Sequence, residues 1–178
     1  NTIKFRRSVR QFKEQLLSYD DLHLLIDAAA HTPTAKNAQA CRFVFIQDSL
    51  EDFKRTIWSN LRSAFEEQRE LPSPRESVQN FLNLREGEHP QDYLFRNAPA
   101  VLCIQAPDPV DAGLAASAIE MVGTTLGIGV LYNGYLRRTS YLIQYSFSVV
   151  SIPGEKQRIS PSMEAERNIP LVGSLLYM

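Results

Sequence analysis

Cysteine is scarce: the chain has Cys41 and Cys103 in 178 residues. Two thiols without CxxC spacing exclude a disulfide framework and a cysteine-rich zinc site, and the expected compartment is reducing, the cytoplasm. The three histidines, His23, His31 and His89, show no metal-ligand spacing with one another or with the cysteines, so no metal site is expected. An excess of either charge is missing too, with 19 Lys plus Arg against 20 Asp plus Glu and a net charge of −1. That balance argues against a general nucleic-acid binder and against an acidic tail. There is no GxSxG elbow, no Gly-Lys-Ser/Thr phosphate loop, no internal repeat and no low-complexity tract. The basic first ten residues have no apolar run behind them, so no signal peptide is expected. Residues 112–131 have the length of a membrane span but hold Glu120 near their centre and four glycines. A mid-bilayer carboxylate is costly, and a buried helix is the expectation.

With 44 % hydrophobic and 22 % charged residues, the chain has the mix of a folded domain, expected to be one domain over 1–178. Ser18-Tyr19-Asp20-Asp21 is capping-box-like, with Asp at the third helical position. The helix after it, to about His31, places Leu22, Leu25, Ile26, Ala29 and Ala30 on one face, and Thr32-Pro33 stops it. Residues 42–47 and 100–106 read as strands, the second apolar throughout its centre. Leu50, Phe53, Ile57, Leu61 and Phe65 mark one side of a long amphipathic helix. The polar, proline-punctuated stretch 71–90 reads as a surface excursion with a short helix at 76–84. Asp108 or Asp111 caps an apolar helix ending at Gly127-Ile128-Gly129. A short strand at 130–132, a helix at 137–147 and a last strand in 169–178 complete the expectation, an α+β sandwich.

Three motifs carry chemistry. Arg6-Arg7-Ser8-Val9-Arg10 concentrates guanidinium forks and a hydroxyl, groups suited to phosphate oxygens as well as to a plain basic segment. Pro33-Thr34-Ala35-Lys36-Asn37-Ala38-Gln39 is a polar loop between a helix and a strand, able to meet the edge of a heteroaromatic ring or merely to turn the chain. The run from Gly127 to Gly134 follows a helix and lacks a third glycine at dinucleotide spacing. It suits close backbone approach to a ligand, with the Gly134 amide as donor, or tight packing. Glu120, if buried, needs a partner.

In their order and spacing, RRSVRQF, then AAAHTPTAKNAQACRFVFIQD, then DAGLAASAIEMVGTTLGIGVLYNGYL resemble the nitroreductase family of FMN-dependent oxidoreductases, over residues 4 to about 137. The PTAKNAQ form is similar to members fused behind a ferredoxin-like iron–sulfur domain. The first residue is not Met, and a longer parent chain is the expectation. The resemblance implies a three-layer sandwich, a mostly antiparallel sheet flanked by helices, in an intertwined homodimer with FMN at the interface. It implies that Arg6, Ser8 and Arg10 hold the phosphate, the ribityl chain and the flavin N1/O2 edge, with Arg7 in the same motif. It places Pro33, Thr34, Ala35 and Asn37 on the same flavin from the other subunit, Gln39 at the pocket floor, and Asn133 and Gly134 by N5/O4. The implied reaction is reduction of quinones or nitro compounds by NAD(P)H in ping-pong fashion, without a general acid or base. A ferredoxin or fused iron–sulfur domain is an alternative donor. Reductive dehalogenation or flavin fragmentation, with 71–90 as lid, and a non-catalytic flavin-binding role stay open. The sequence departs from the family pattern at Ala40-Cys41, where many members have Pro-Trp, in lacking basic residues after the final strand, and over 141–168.

Overall fold

The computed structural model describes residue 4, residues 6–139 and the backbone of 175–177. Helix α1 (Tyr19–Ala30) starts at Ser18. The Ser18 hydroxyl accepts from the Asp21 amide at 3.1 Å and donates to the Asp21 carboxylate at 2.7 Å. The short Asp side chain therefore closes the cap on the hydroxyl, where a longer Glu would reach the Ser backbone. At the far end the Thr32 hydroxyl donates to the Ala29 carbonyl at 2.7 Å, occupying an acceptor the helix leaves open. Leu22, Leu25 and Ala29 are buried, but Ala30 is exposed. A step of about 100° past Ala29 carries Ala30 off the buried stripe.

Strand β1 (Arg42–Ile46) leads to α2 (Leu50–Glu66). Leu50, Phe53, Ile57 and Leu61 are buried, joined by Trp58 and Ala64. Helix α3 (Arg75–Glu86) is longer than its polar composition suggests and buries Val78, Phe81 and Leu82. The stretch is thus a packed element rather than a surface excursion: three apolar residues at i, i+3 and i+4 suffice to seat it. Strand β2 (Val101–Gln105) is followed by α4 (Pro109–Leu126). Asp108, not Asp111, caps α4, accepting from the Val110 amide at 2.8 Å. Gly127, at φ 76°, ends it, and the Ile128 amide turns back to the Gly123 carbonyl at 2.8 Å, a closure that favours glycine's left-handed conformation. A short β3 (Leu131–Tyr132) and a one-turn-and-a-half α5 (Gly134–Thr139) follow. The helix expected at 137–147 therefore begins earlier, at Gly134, and its part beyond 139 lies outside the described residues, as does the stretch 141–168. The last strand, β4, is Leu175–Tyr177.

The sheet order is β1-β2-β4-β3, antiparallel at every pairing. Val44 lies opposite Cys103, and both Val101 and Leu131 lie opposite Tyr177. Alternation along the strands splits the core in two. Ile46, Val101 and Cys103 join the residues of α2 and α3. Leu102 and Ile104 join those of α1 and α4. The architecture is α+β in three layers, with the sheet in the middle. No helix among the described residues is long and apolar enough to cross a membrane.

Candidate functional site

The site is built around the end of β3. Ahead of it, the Val9 amide donates to the Val130 carbonyl at 3.2 Å. The Val9 side chain sits over Gly129, where an added Cβ would lie 2.9 Å from both Val9 methyls. Glycine is needed there for close approach. This contact draws the RRSVR segment alongside β3. Arg6 then meets Glu120 of α4, Nη1 to Oε1 at 2.8 Å, with the Glu120 side chain 7 % exposed. The buried carboxylate thus has its partner. Tyr132 hydrogen-bonds to the same Glu120, and its hydroxyl is pushed up to about 12, first by burial and then by the Glu120 charge, against an opposing effect of Arg6. Arg7 turns to the main chain, donating to the carbonyls of Lys4 and Arg6 at 3.2 and 3.0 Å. Ser8 and Arg10 are exposed.

Arg10 reaches a cavity of about 390 Å³ together with Tyr132, Asn133 and Gly134. The Asn133 side chain is engaged within the protein at both ends: its amide donates to the Leu94 carbonyl at 2.7 Å and its oxygen accepts from the Leu136 amide at 2.8 Å. It caps α5 and pins it to the chain before β2. Gly134 is open, since a Cβ there would meet nothing within 4 Å. As the first residue of α5, its N–H precedes the helix's own ladder.

Three wall residues were not singled out from the sequence: Tyr93, Arg96 and Arg138. Arg138 lies four residues after Gly134, one turn on along α5, so helical spacing alone could have marked it. Arg96 comes from a turn no local pattern announces. That turn is tied down by Asp92, which accepts the Phe95 amide on its carboxylate at 3.2 Å and the Arg96 amide on its carbonyl at 2.6 Å. Lys54 of α2, largely buried, holds the same carboxylate at 3.4 Å. Arg96 and Asn97 are left-handed, at φ 58° and 53°, a conformation costing non-glycine residues roughly 1–3 kcal/mol each.

The loop 33–39 lies elsewhere. Its Ala35 amide donates to the buried Asp111 of α4 at 3.1 Å, and the Thr34 hydroxyl accepts from the Gln39 amide at 2.9 Å. Lys36, Asn37 and Gln39 are left-handed, at φ 54°, 54° and 47°. Gln39 and Cys41 line a second cavity of about 380 Å³. The Cys41 thiol is raised by partial burial and then by the Asp111 charge, so it is not an activated nucleophile. Pro33, Thr34, Ala35 and Asn37 line neither cavity. One chain therefore brings Arg10, Asn133 and Gly134 to one cavity, whose described lining includes no residue of 33–39. Among the described residues no group of His, Cys, Asp and Glu could hold a metal ion.

A family model described as "Nitroreductase family" matches residues 3–152. Among solved structures, the chain is similar to a nitroreductase with bound FMN from Bacteroides fragilis, at 18 % identity and TM-score 0.66, covering 99 % of this chain and 84 % of that one. It is similar to a nitroreductase with bound FMN from Desulfitobacterium hafniense, at 24 % identity and TM-score 0.59, over 78 % and 71 % of the two chains. A BluB-like flavoprotein from Clostridium difficile is similar at 22 % identity and TM-score 0.55, over 74 % and 71 %. No curated protein matches the sequence. With the family model spanning most of the sequence, three layers around an antiparallel sheet and the RRSVR segment laid beside β3, the chain belongs to the nitroreductase family.

Proposed function

We propose that the protein is an FMN-dependent oxidoreductase that reduces nitro compounds, quinones or similar acceptors with NAD(P)H, donor and acceptor using one open site in turn. The observation that carries this reading is the cavity where Arg10 and the open Gly134 share a wall with Tyr93 and Tyr132. Its parts fit the group: the Tyr132 side chain beside a flat ring system, guanidinium for a phosphate and the ring's N1/O2 edge, and uncrowded backbone at Gly134. FMN, when bound, supplies the hydride and electron transfer. The chain's own residues bind and orient. Arg10 places positive charge where reduction adds negative charge. Half-exposed Arg6, anchored by Glu120, offers the rest of its fork, and Ser8 a hydroxyl, to the phosphate side. Arg7, bound to main-chain carbonyls, shapes the segment. Asn133 fixes α5, and with Gly134 it would lie by the flavin's N5/O4 side.

The loop 33–39 completes the site from a second copy of the chain, with Pro33, Thr34, Ala35 and Asn37 on the partner's flavin and Gln39 at the pocket floor. That arrangement accounts for a polar, strained loop that shares no cavity with Arg10. The homodimer would place both active sites at its interface, in the cytoplasm, where thiols such as Cys41 and Cys103 stay reduced.

The test is the purified protein's visible spectrum and the flavin it releases on heating. FMN is the expected product, and FAD, or no flavin after reconstitution, overturns the reading. Anaerobic mixing with NADH and with NADPH should then bleach the flavin absorbance. Reduction by dithionite but by neither nucleotide would transfer the donor role to a ferredoxin or iron–sulfur domain.

A further inference from the structure

The cavity carries more positive charge than one segment supplies. Arg10, Arg96 and Arg138 all line it and, among the described residues, no Asp or Glu does, in a chain whose net charge is −1. The carboxylates on the elements that build it are engaged elsewhere, Glu120 with Arg6 and Asp92 with Lys54. Two of the three arginines lie outside the N-terminal motif and come from different elements, the turn before β2 and helix α5.

Arg96 is held rigidly. Its guanidinium lies 3.7 Å from the centre of the Tyr93 ring. Tyr93 stacks on Phe81 at 5.3 Å, and Phe81 meets the Tyr135 ring edge-on at 5.0 Å. The left-handed backbone at Arg96 and Asn97 is maintained by the Asp92 hydrogen bonds beneath it. A guanidinium held over an aromatic ring still has N–H groups to offer a planar or tetrahedral anion, and little freedom is lost when one binds. Arg138, exposed on α5, supplies a second fork.

We infer that Arg96 and Arg138 form an anion subsite of this cavity, separate from the Arg6–Arg10 segment, that takes a phosphate or carboxylate group. With the single FMN phosphate given to the Arg6 and Ser8 side and Gly134 to the N5/O4 edge, the molecule that brings such a group is an acidic electron acceptor. The inference rests on the reading of the cavity as the flavin site.

The experiment compares the wild-type dimer with an Arg96→Gln/Arg138→Gln double variant and with the Lys pair, Arg96→Lys/Arg138→Lys. Binding of FMN and of riboflavin is titrated, and KM is measured for 4-nitrobenzoate against 4-nitrobenzamide. FMN and riboflavin affinities should both hold in the Gln pair, and a loss of FMN affinity alone, about tenfold or more, would make these arginines part of the flavin phosphate site and overturn the separate subsite. KM for nitrobenzoate should rise about tenfold or more while nitrobenzamide is unaffected. The Lys pair recovers part of that loss, because charge returns without the fork. Equal losses for charged and neutral partners, or no loss at all, overturn the subsite. Should the chain bind no flavin, the function proposed above fails by itself. Calorimetry with inorganic phosphate then decides the subsite, with weaker binding in the Gln pair supporting it and equal binding refuting it.

Discussion

The two faces of the sheet are packed by opposite means. Under α2 and α3 the core is large and aromatic: Phe95 meets Phe53 edge-on with centroids 5.9 Å apart, and Trp58 at 6.5 Å. The outer side of α2 is charged, with Arg55–Asp52 at 3.0 Å and Arg62–Glu66 at 3.3 Å. Under α1 and α4 the core is small: Ala29, Ala112, Ala115 and Ala116 are buried beside Leu25 and Ile119. There the outer side of α4 stays apolar, with Val110 63 %, Leu114 41 % and Met121 38 % exposed. Bulk fills the first layer within one chain, and charge finishes it. Alanine lets α1 and α4 lie close in the second, and the apolar stripe is left uncovered. An exposed stripe of this kind marks an association surface. The layer that a single chain leaves unfinished is the one we propose the second copy covers.

The largest effect is expected from emptying the aromatic layer. Phe95→Ala removes a fully buried ring and should cost about 3–5 kcal/mol in urea unfolding. The matching change opposite is addition, since a small-residue layer fails by crowding. Ala115→Leu should cost about 1–3 kcal/mol. An Ala115→Leu variant as stable as the parent would show that the second layer has slack.

Alkali provides the next test. Cys103 faces the aromatic layer, and burial pushes its thiol up to about 12. Between pH 9 and 12 the unfolded thiol has released its proton and the folded one has not, so unfolding binds fewer protons and stability falls as pH rises. The full loss is on the order of 4 kcal/mol. Urea midpoints across this range should fall in the wild type and fall less in Cys103→Ala. Parallel slopes would mean the thiol titrates as freely when folded as when unfolded.

A smaller effect on the fold, but a complete one on assembly, is expected from Leu114→Lys/Met121→Lys. Both side chains face outward, so the protomer's own folding free energy should change by no more than about 1 kcal/mol, any further fall in apparent stability being the lost association free energy. Light scattering should then report a monomer where the parent is a dimer. A parent that is monomeric as holoprotein, or a double variant still dimeric, would remove α4 from the interface.

What the sequence made legible was local. Ser18 and Gly127 mark helix ends because each acts within a few residues of itself, whereas the cap of α4 was narrowed only to Asp108 or Asp111, two carboxylates that local spacing does not separate. The strands Arg42–Ile46 and Val101–Gln105 stand out because β-branched, aromatic and apolar residues run together. Long-range chemistry stayed hidden. Arg6 finds Glu120 across 114 positions, and nothing in RRSVR distinguishes an arginine aimed at a phosphate from one aimed at a buried carboxylate. Asn133 is a subtler case. An amide offers the same donor and acceptor to a ligand as to a helix cap and a carbonyl, and the side chain serves the second pair. Helix α3 was underestimated because Val78, Phe81 and Leu82 are a thin stripe in a polar, proline-flanked stretch. The place of β4 between β2 and β3 is a matter of topology that no window of sequence contains.

The smallest expected effect sharpens the account of the aromatic layer. Trp58 is 5 % exposed, and its indole nitrogen has no hydrogen-bond partner among the described residues. Arg85 covers the ring, 5.0 Å from its centre, and a guanidinium offers donors only, so it cannot accept the indole proton. A buried donor left unpaired costs about 1–3 kcal/mol. Trp58→Phe removes that donor and keeps a ring beside Phe95 and beneath Arg85, at the cost of some buried area and a small void. The two changes oppose each other, and the net should lie within about 1 kcal/mol, far from the roughly 3–5 kcal/mol expected for Trp58→Ala. Urea unfolding of the two variants side by side decides it. A Phe variant that loses more than about 2 kcal/mol would show that the indole N–H is satisfied in solution, and that the layer depends on that bond as well as on bulk.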